Sequence, residues 1–299
     1  MDLNLRLLRY FVTVADEGHF GRAAAKLFIS PPALTQQIRR LEQEVGFSLL
    51  DRARHPVAPT PSGEAFLREV RTVLDAAQRA EAVARSEARQ AGGRFDLGFV
   101  VTPLGRLTRT LVDGFAAQAG PGVLQLVELT LPEQTSAVLS GRVDASLAWG
   151  PVVEPRLRVE RALAAQRVVV VAASHRLSRR EHVGIAELND EIHVQLDHEM
   201  VGERWSRWWS VDPRPDGVPV RYGPVIRTIA ELLEQVAAGQ GVAISSALLQ
   251  DAYVRHDVAF VPISDVEPSE AVLCTRPEDR SPRVELMRKL VGELSTQAR

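Results

Sequence analysis

The stretch Ile29-Ser30-Pro31-Pro32-Ala33-Leu34-Thr35-Gln36-Gln37-Ile38-Arg39-Arg40-Leu41-Glu42 decides how this chain is read. Ser30 is a hydroxyl placed to cap a helix, and Pro31 takes the first helical position, where a missing N–H costs nothing. Leu34, Ile38, Leu41 and Val45 recur at helical spacing and form a buried stripe. The opposite face presents Pro32, Thr35, Gln36, Arg39, Arg40 and Gln43. An α-helix fits the major groove of DNA, where its first turns must offer side chains suited to base edges. Thr35 and Gln36 can hydrogen-bond bases, and Pro32 can pack against a thymine methyl. Arg39 and Arg40, one turn further on, are placed for phosphates, which fix register without reading sequence. The alternative for residues 31–45 is an amphipathic helix with a merely solvated face.

Outward from this helix the head takes shape. Leu3, Leu7, Leu8, Phe11, Val12 and Ala15 predict a first helix that Gly18 stops. Gly21 to Leu27 predicts a short alanine-rich second helix, so residues 20–45 read as a helix-turn-helix. Leu50 to Thr60, with Arg52, Arg54 and His55 among prolines, suits a short exposed β-ribbon whose arginines reach DNA backbone or minor groove. Residues 1–60 carry eight basic side chains against six acidic ones in a chain of net charge −2, so a polyanion would bind the head. Thr60-Pro61 opens a helix that nothing stops before Gly92-Gly93, some 45 Å at about 1.5 Å per residue. Its narrow stripe of Phe66, Val70, Val73, Leu74, Ala77, Ala80, Val83 and Ala84 is best explained by pairing with another copy of itself.

From Phe95 onward strand and helix alternate. Strands are expected at 95–101, 123–129, 143–149, 168–173, 192–196, 218–222, 242–244, 258–261 and 271–274. Helices are expected at 104–117, 133–140, 199–210, 226–238, 246–254 and 282–296. This argues for an α/β domain with largely parallel sheets. The 299 residues, 45% hydrophobic and 25% charged, suit an ordinary globular chain of about two domains. One cysteine excludes an intramolecular disulfide and a cysteine-built zinc site. Met1 to Phe11, with Asp2, Arg6 and Arg9, is unlike a signal peptide, and no apolar run is long enough to span a bilayer. A cytoplasmic location with no membrane partner is expected.

Catalytic machinery is missing. Gly239-Gln240-Gly241 lacks the third glycine of a dinucleotide fingerprint, and no phosphate loop or nucleophile elbow occurs. No cofactor is expected. His193, Asp197, His198 and Glu199 form the one cluster with ligand chemistry, but at an unspecific spacing, and polar groups at a strand end explain them as well. Cys274 lies among apolar neighbours and reads as a buried structural thiol.

A family resemblance rests on Leu8-Arg9-Tyr10-Phe11-Val12, Gly21-Arg22-Ala23-Ala24, the stretch Ile29–Glu42, Gly46-Phe47-Ser48-Leu49-Leu50-Asp51-Arg52 and Thr60-Pro61-Ser62-Gly63. With the looser Val143-Asp144-Ala145-Ser146-Leu147 and Val236–Ala243, the chain resembles LysR-type transcriptional regulators over essentially its whole length. The resemblance implies a winged helix-turn-helix over 1–60, a linker and dimerisation helix over 61–91, and a two-lobed effector domain over 92–299. Lobe one would hold 92–162 and 266–299, and lobe two 163–265, like periplasmic binding proteins. The implied partners are double-stranded promoter DNA, a small-molecule effector in the cleft, a second copy or more (homodimer or homotetramer) and RNA polymerase. Three residues depart from the pattern. Pro31 stands where such proteins often place a DNA-contacting glutamine, Gly21 replaces a hydroxyl cap, and Pro59 replaces a leucine in the wing.

Thr102-Pro103 follows the first strand of the body, Thr130 the second, and Thr228 opens the 226–238 helix. Each is a hydroxyl near a helix N-terminus, where free N–H groups and the dipole favour an anion. By resemblance these positions line the cleft, together with Leu196 and Trp149. The expectation is a small organic acid held by Thr102, Thr130 and Thr228, against the alternative that all three only cap helices. Trp205, Trp208 and Trp209 share one helix and form either an aromatic wall or core filler. Together these readings give a ligand-responsive, sequence-specific transcriptional regulator with no catalytic activity. Its rivals are a solute-binding protein whose N-terminal helices only mediate assembly, and an α/β enzyme.

Overall fold

The computed structural model describes residues 3–101, 105 and 107–297. They form two compact units, Met1–Glu81 and Ala82–Arg299. In the first, α1 (Leu5–Glu17), α2 (Phe20–Lys26) and α3 (Pro31–Val45) precede a ribbon of β1 (Leu50–Asp51) and β2 (Ala58–Pro59), followed by α4 (Pro61–Ala91). Asn4 caps α1 by accepting from the Arg6 N–H at 2.9 Å, and Gly18 ends it at φ 58°. Leu7, Leu8, Phe11, Ala23, Ala24, Leu34, Ile38 and Leu41 are fully buried where the three helices meet. Helix α2 begins at Phe20, one residue before the expected start. Its cap is His19, whose Nδ1 accepts from Gly21 and Arg22. A Cβ at position 21 would lie 2.8 Å from His19 Cε1, so the glycine that departs from the family pattern makes room for an imidazole cap. The ribbon pairs Leu50 with Pro59 and Asp51 with Ala58, antiparallel. A two-residue strand can hold the proline that departs from the family pattern.

The second unit contains β3 (Phe95–Phe99), α5 (Leu107–Ala119), β4 (Leu124–Glu128), α6 (Glu133–Leu139), β5 (Ala145–Trp149), β6 (Arg158–Ala165) and β7 (Arg167–Ala172). It continues with β8 (Ile192–Leu196), α7 (His198–Val201), α8 (Glu203–Ser210), β9 (Arg221–Ile226), α9 (Ile229–Ala237), β10 (Ala243–Ser246), α10 (Leu248–Ala252), β11 (Val258–Pro262), β12 (Ser269–Thr275) and α11 (Pro282–Gln297). One sheet has the order β4-β3-β5-β12-β6, a second β10-β7-β11, and β8 pairs with β9. Among the named strands of the described residues, β3 pairs parallel with β4 and β5, and β8 with β9, while β12 pairs antiparallel with β5 and β6, and β7 antiparallel with β10 and β11. The expectation of largely parallel sheets is therefore corrected. The chain leaves the first sheet through Gln166 between β6 and β7 and returns through β12, so the outgoing and returning strands pair antiparallel. Strand β6 was not anticipated: Arg158, Glu160 and Arg161 hide it, and only Ala162 is fully buried. The helix expected over 199–210 is broken at Gly202, φ 81°.

Of the titratable groups singled out in the sequence, His193 and Asp197 have structural roles. His193 is buried, and its Nε2 faces Arg214 Nη2 at 2.8 Å. Burial, with the neighbouring guanidinium, pulls its pKa down to about 4, so the imidazole is neutral and accepts from the arginine. Asp197 caps α7 through the Glu199 N–H and also takes Arg227 Nε at 3.2 Å. Among the described residues no three His, Cys, Asp or Glu side chains could share a metal ion. Burial pushes the Cys274 thiol up to about 12, which keeps it protonated and inert.

The end of α4 belongs to this second unit. Ser86 Oγ donates to Asp144 Oδ1 at 2.9 Å, Arg89 approaches the same carboxylate through Nη2 at 2.7 Å and Nε at 3.1 Å, and the Asp96 N–H donates to Oδ2 at 2.9 Å. Asp144 is wholly inaccessible to solvent. A buried charge is tolerated when every lone pair is satisfied, and removing one partner strands the other. Asp144→Ala is therefore expected to cost about 3–5 kcal/mol of stability. Urea unfolding followed by circular dichroism checks this, and a loss under ~1 kcal/mol would show that Asp144 does not carry the end of α4.

Candidate DNA-binding surface and effector cleft

The exposed face of α3 begins with Pro31 and Pro32 at its first two positions, behind the Ser30 cap, whose Oγ accepts from the Ala33 N–H. The Thr35 hydroxyl donates to the Pro31 carbonyl at 2.9 Å. Gln36 and Arg39 are exposed, and Arg39 has no hydrogen bond or ion pair among the described residues. Arg40 pairs with Glu44 one turn on, at 2.8 Å. In the ribbon, Arg54 is open to solvent and only 3.6 Å from Asp51. Arg52 is engaged differently. Its Nη2 meets Glu42 Oε2 at 2.7 Å, and its guanidinium lies 5.6 Å over the Phe20 ring. Glu42 also accepts from the Leu49 and Leu50 N–H groups, so this one carboxylate ties α3 to the start of the ribbon. Sequence reading missed that role, since the partners lie seven to ten residues away and meet only in the fold. Arg39, Arg52 and Arg54 together line a recess of about 650 Å³, open to solvent, between α3 and the ribbon.

In the second unit a cleft opens between the two sheets. Val100, Val101, Leu131 and Trp149 face Leu196, Trp205, Trp209, Ile229, Leu232, Ile244 and Leu249, with Ser245 and Ser246 as polar members. Its cavity volume is only about 50 Å³, so the apolar walls nearly close on each other. Trp149 and Trp205 pack against Trp209 with ring centroids 6.0 and 5.6 Å away. Trp149 Nε1 donates to the Val100 carbonyl, and Trp205 Nε1 approaches the Trp149 carbonyl at 3.4 Å. The buried Trp209 Nε1 has no acceptor among the described residues. Trp208 is turned elsewhere: its Nε1 donates to Glu267 at 2.7 Å, and the buried Arg167 guanidinium stacks 3.6 Å over its ring. Three tryptophans thus form a wall, and the fourth a strut.

Of the expected effector residues, Trp149 and Leu196 line this cleft. Thr102 and Pro103 lie outside the described residues. Thr130 and Thr228 sit beside the lining residues Leu131 and Ile229, and both serve helix ends. Thr130 donates through N–H and hydroxyl to Glu133 Oε2, each at 2.9 Å. Those bonds, with Arg142, hold the Glu133 carboxyl below its usual range. Thr228 caps α9 by accepting from the Glu231 N–H at 3.1 Å, while Glu231 accepts from the Arg227 N–H at 2.7 Å.

The profile described as "Bacterial regulatory helix-turn-helix protein, lysR family" matches residues 5–64, and that described as "LysR substrate binding domain" matches residues 88–295. The chain belongs to the LysR family. It is a ligand-responsive, DNA-binding transcriptional regulator. Among its relatives, the uncharacterized HTH-type transcriptional regulator YnfL of Escherichia coli (strain K12) is 32% identical over 270 residues, 89% of each chain. The Hca operon transcriptional activator HcaR of the same organism is 30% identical over 274 residues, 91% of this chain and 90% of its own. The crystal structure of the full-length BenM R156H mutant is similar with a TM-score of 0.57 at 26% identity, covering 98% of this chain and 96% of that one. Among the described residues of this LysR regulator, no helix is long and apolar enough to cross a membrane.

The free Arg39 and the paired Arg52 should respond differently to truncation. Arg39→Ala is expected to weaken binding to all DNA sequences alike and to lower the log–log salt slope by roughly one, with melting temperature unchanged. Arg52→Ala is expected to lower the melting temperature by several degrees, because it leaves Glu42 Oε2 without its partner and loosens the tie between α3 and the ribbon. Anisotropy titrations across a salt series and thermal melts check both. An unchanged melt with a reduced slope for Arg52→Ala would make it a phosphate contact instead.

Proposed function

We propose that this regulator is a cytoplasmic homo-oligomer without catalytic activity. It grips promoter DNA with residues 1–60, pairs through 61–91, and takes a small organic acid with a large apolar body into the cleft of 92–299. Pro31, Pro32, Thr35, Gln36, Arg39, Arg40 and Arg54 face the operator, and Arg52 sets the ribbon's position through Glu42. Pairing is supported by the apolar positions that α4 leaves exposed: Val73, Ala76, Ala80, Val83 and Ala84 recur at spacings of three and four. A ligand that prefers one separation of the cleft walls shifts the population of body conformations. Paired recognition helices must match a fixed half-site spacing, so such a shift is felt at the promoter.

The observation that carries the effector assignment is the wall of Trp149, Trp205 and Trp209, with an unpartnered indole N–H at Trp209. Apolar walls that nearly touch gain most from a flat carbon skeleton inserted between them, and buried indole N–H groups call for an acceptor. The carboxylate of an organic acid supplies one for Trp209 Nε1 or for the hydroxyls of Ser245 and Ser246. The helix ends at Thr130 and Thr228 already hold the carboxylates of Glu133 and Glu231, so an effector anion takes either place only by displacing a glutamate.

Titration of intrinsic tryptophan fluorescence with aromatic and short aliphatic carboxylates tests this. Aromatic acids are expected to quench saturably, and Trp209→Leu to raise the dissociation constant at least tenfold with the fold intact by circular dichroism. Saturable quenching untouched by Trp209→Leu would place the effector elsewhere.

A further inference from the structure

The turn between α2 and α3 carries a ring that faces solvent. Phe28 is 95% exposed, whereas Phe11 is fully buried and Phe20 and Phe66 pack against the core of the head. Its backbone is at φ 55°, the left-handed region, where a bulky side chain is strained and glycine is the usual occupant. The conformation is pinned by hydrogen bonds from the Phe28 N–H to the Ala25 carbonyl at 3.2 Å and from the Ile29 N–H to the Ala24 carbonyl at 3.1 Å. Hydration and backbone strain both argue against a phenylalanine here. It stands three residues before Pro31, the start of α3.

That end of α3 is unusual in its chemistry. Pro31 and Pro32 remove two of the free N–H groups that a helix normally offers an anion there. The Ser30 oxygen is occupied by the Ala33 N–H, and the Thr35 hydroxyl proton by the Pro31 carbonyl. What the tip presents outward is carbon: the Phe28 ring and two pyrrolidines. Carbon surfaces have one sequence-specific partner in the major groove, the 5-methyl group of thymine.

We propose that Phe28 is a specificity-determining residue whose ring packs, beside Pro31 and Pro32, on thymine methyl groups under the N-terminus of α3. The operator half-site therefore carries thymines at those steps. This rests on the DNA-binding reading of α3 and adds to it a residue and the base feature it reads. Burying one methyl group is equivalent to about fourfold in affinity, from ~0.8 kcal/mol per buried carbon.

The test uses the full chain and the segment of its own upstream intergenic DNA that it protects in a footprint. Each protected thymine is replaced singly by deoxyuridine, which keeps every hydrogen-bonding group and loses only the methyl. Wild type is expected to lose about fourfold in affinity at one or more thymines in each half-site. Phe28→Gly is expected to bind thymine and uracil alike at those positions and to melt at a higher temperature, since glycine relieves the strain. Phe28→Leu is expected to keep part of the preference. Equal loss on thymine and uracil DNA for Phe28→Gly would make the ring a sugar or backbone contact and overturn the proposal. Unchanged DNA binding with altered sedimentation would make it a contact between copies and overturn the proposal equally. Failure to protect any DNA would instead count against the DNA-binding reading itself.

Discussion

A single buried carboxylate constrains how this chain can work. Asp144 accepts from Ser86, Arg89 and the Asp96 backbone, and Arg89 also donates to the Gly141 carbonyl at 2.6 Å. Gly141 is at φ 68°, and a Cβ there would lie 2.5 Å from Ala82 Cα, so the turn before β5 must be glycine for α4 to pass. The first part of the same helix belongs to the head, where Leu67 and Val70 are core residues and Arg71 pairs with Asp16 at 2.6 Å. One continuous helix is therefore a structural member of both units. Its far end is held by a charge that cannot be exposed or left unpaired without large cost. Any rearrangement of β3 and β5 must carry the end of α4 with it.

The cleft follows a similar economy. Helix α8 is only eight residues long, yet Trp205 and Trp209 line the cleft while Trp208 stacks on Arg167 at the first residue of β7. Trp208 also donates to Glu267, in the segment between β11 and β12. The tryptophan wall is thus tied to both chain crossovers between the sheets. Burial draws the Arg167 pKa down to about 10, still far above neutrality, so the stacked guanidinium keeps its charge.

Much of this was legible from residues alone, and the part that was not has a common cause. Ser30, Pro31 and Gly18 announce helix ends because capping is local, and the stripe of Leu34, Ile38 and Leu41 needs only periodicity. The buried strands β3, β5 and β7 are mostly apolar, broken only by Asp96, Ser146 and the leading Arg167. Strand β6 was hidden because its first half is charged, at Arg158, Glu160 and Arg161, and its second half is rich in alanine, so neither period stands out. The direction of β12 depends on which strand it meets after a crossover, which no local pattern encodes. His19 escaped notice as a cap because hydroxyl, carboxylate and amide side chains are the usual caps; here Gly21 leaves room for the ring. The Glu42–Arg52 tie and the tryptophan wall escaped because their parts meet only once the chain is folded.

In a ligand-responsive LysR regulator, what the effector does to the body must be felt by the DNA-binding head. The most direct measurement is a fluorescence-anisotropy titration of the full chain against its own upstream intergenic DNA, across a salt series, with unrelated DNA as competitor and with or without a carboxylate that quenches the cleft tryptophans. Binding is expected to survive the competitor, to weaken steeply with salt, and to change in affinity or stoichiometry when the carboxylate is present. Weak binding, equal on both DNAs and indifferent to the carboxylate, would contradict this expectation.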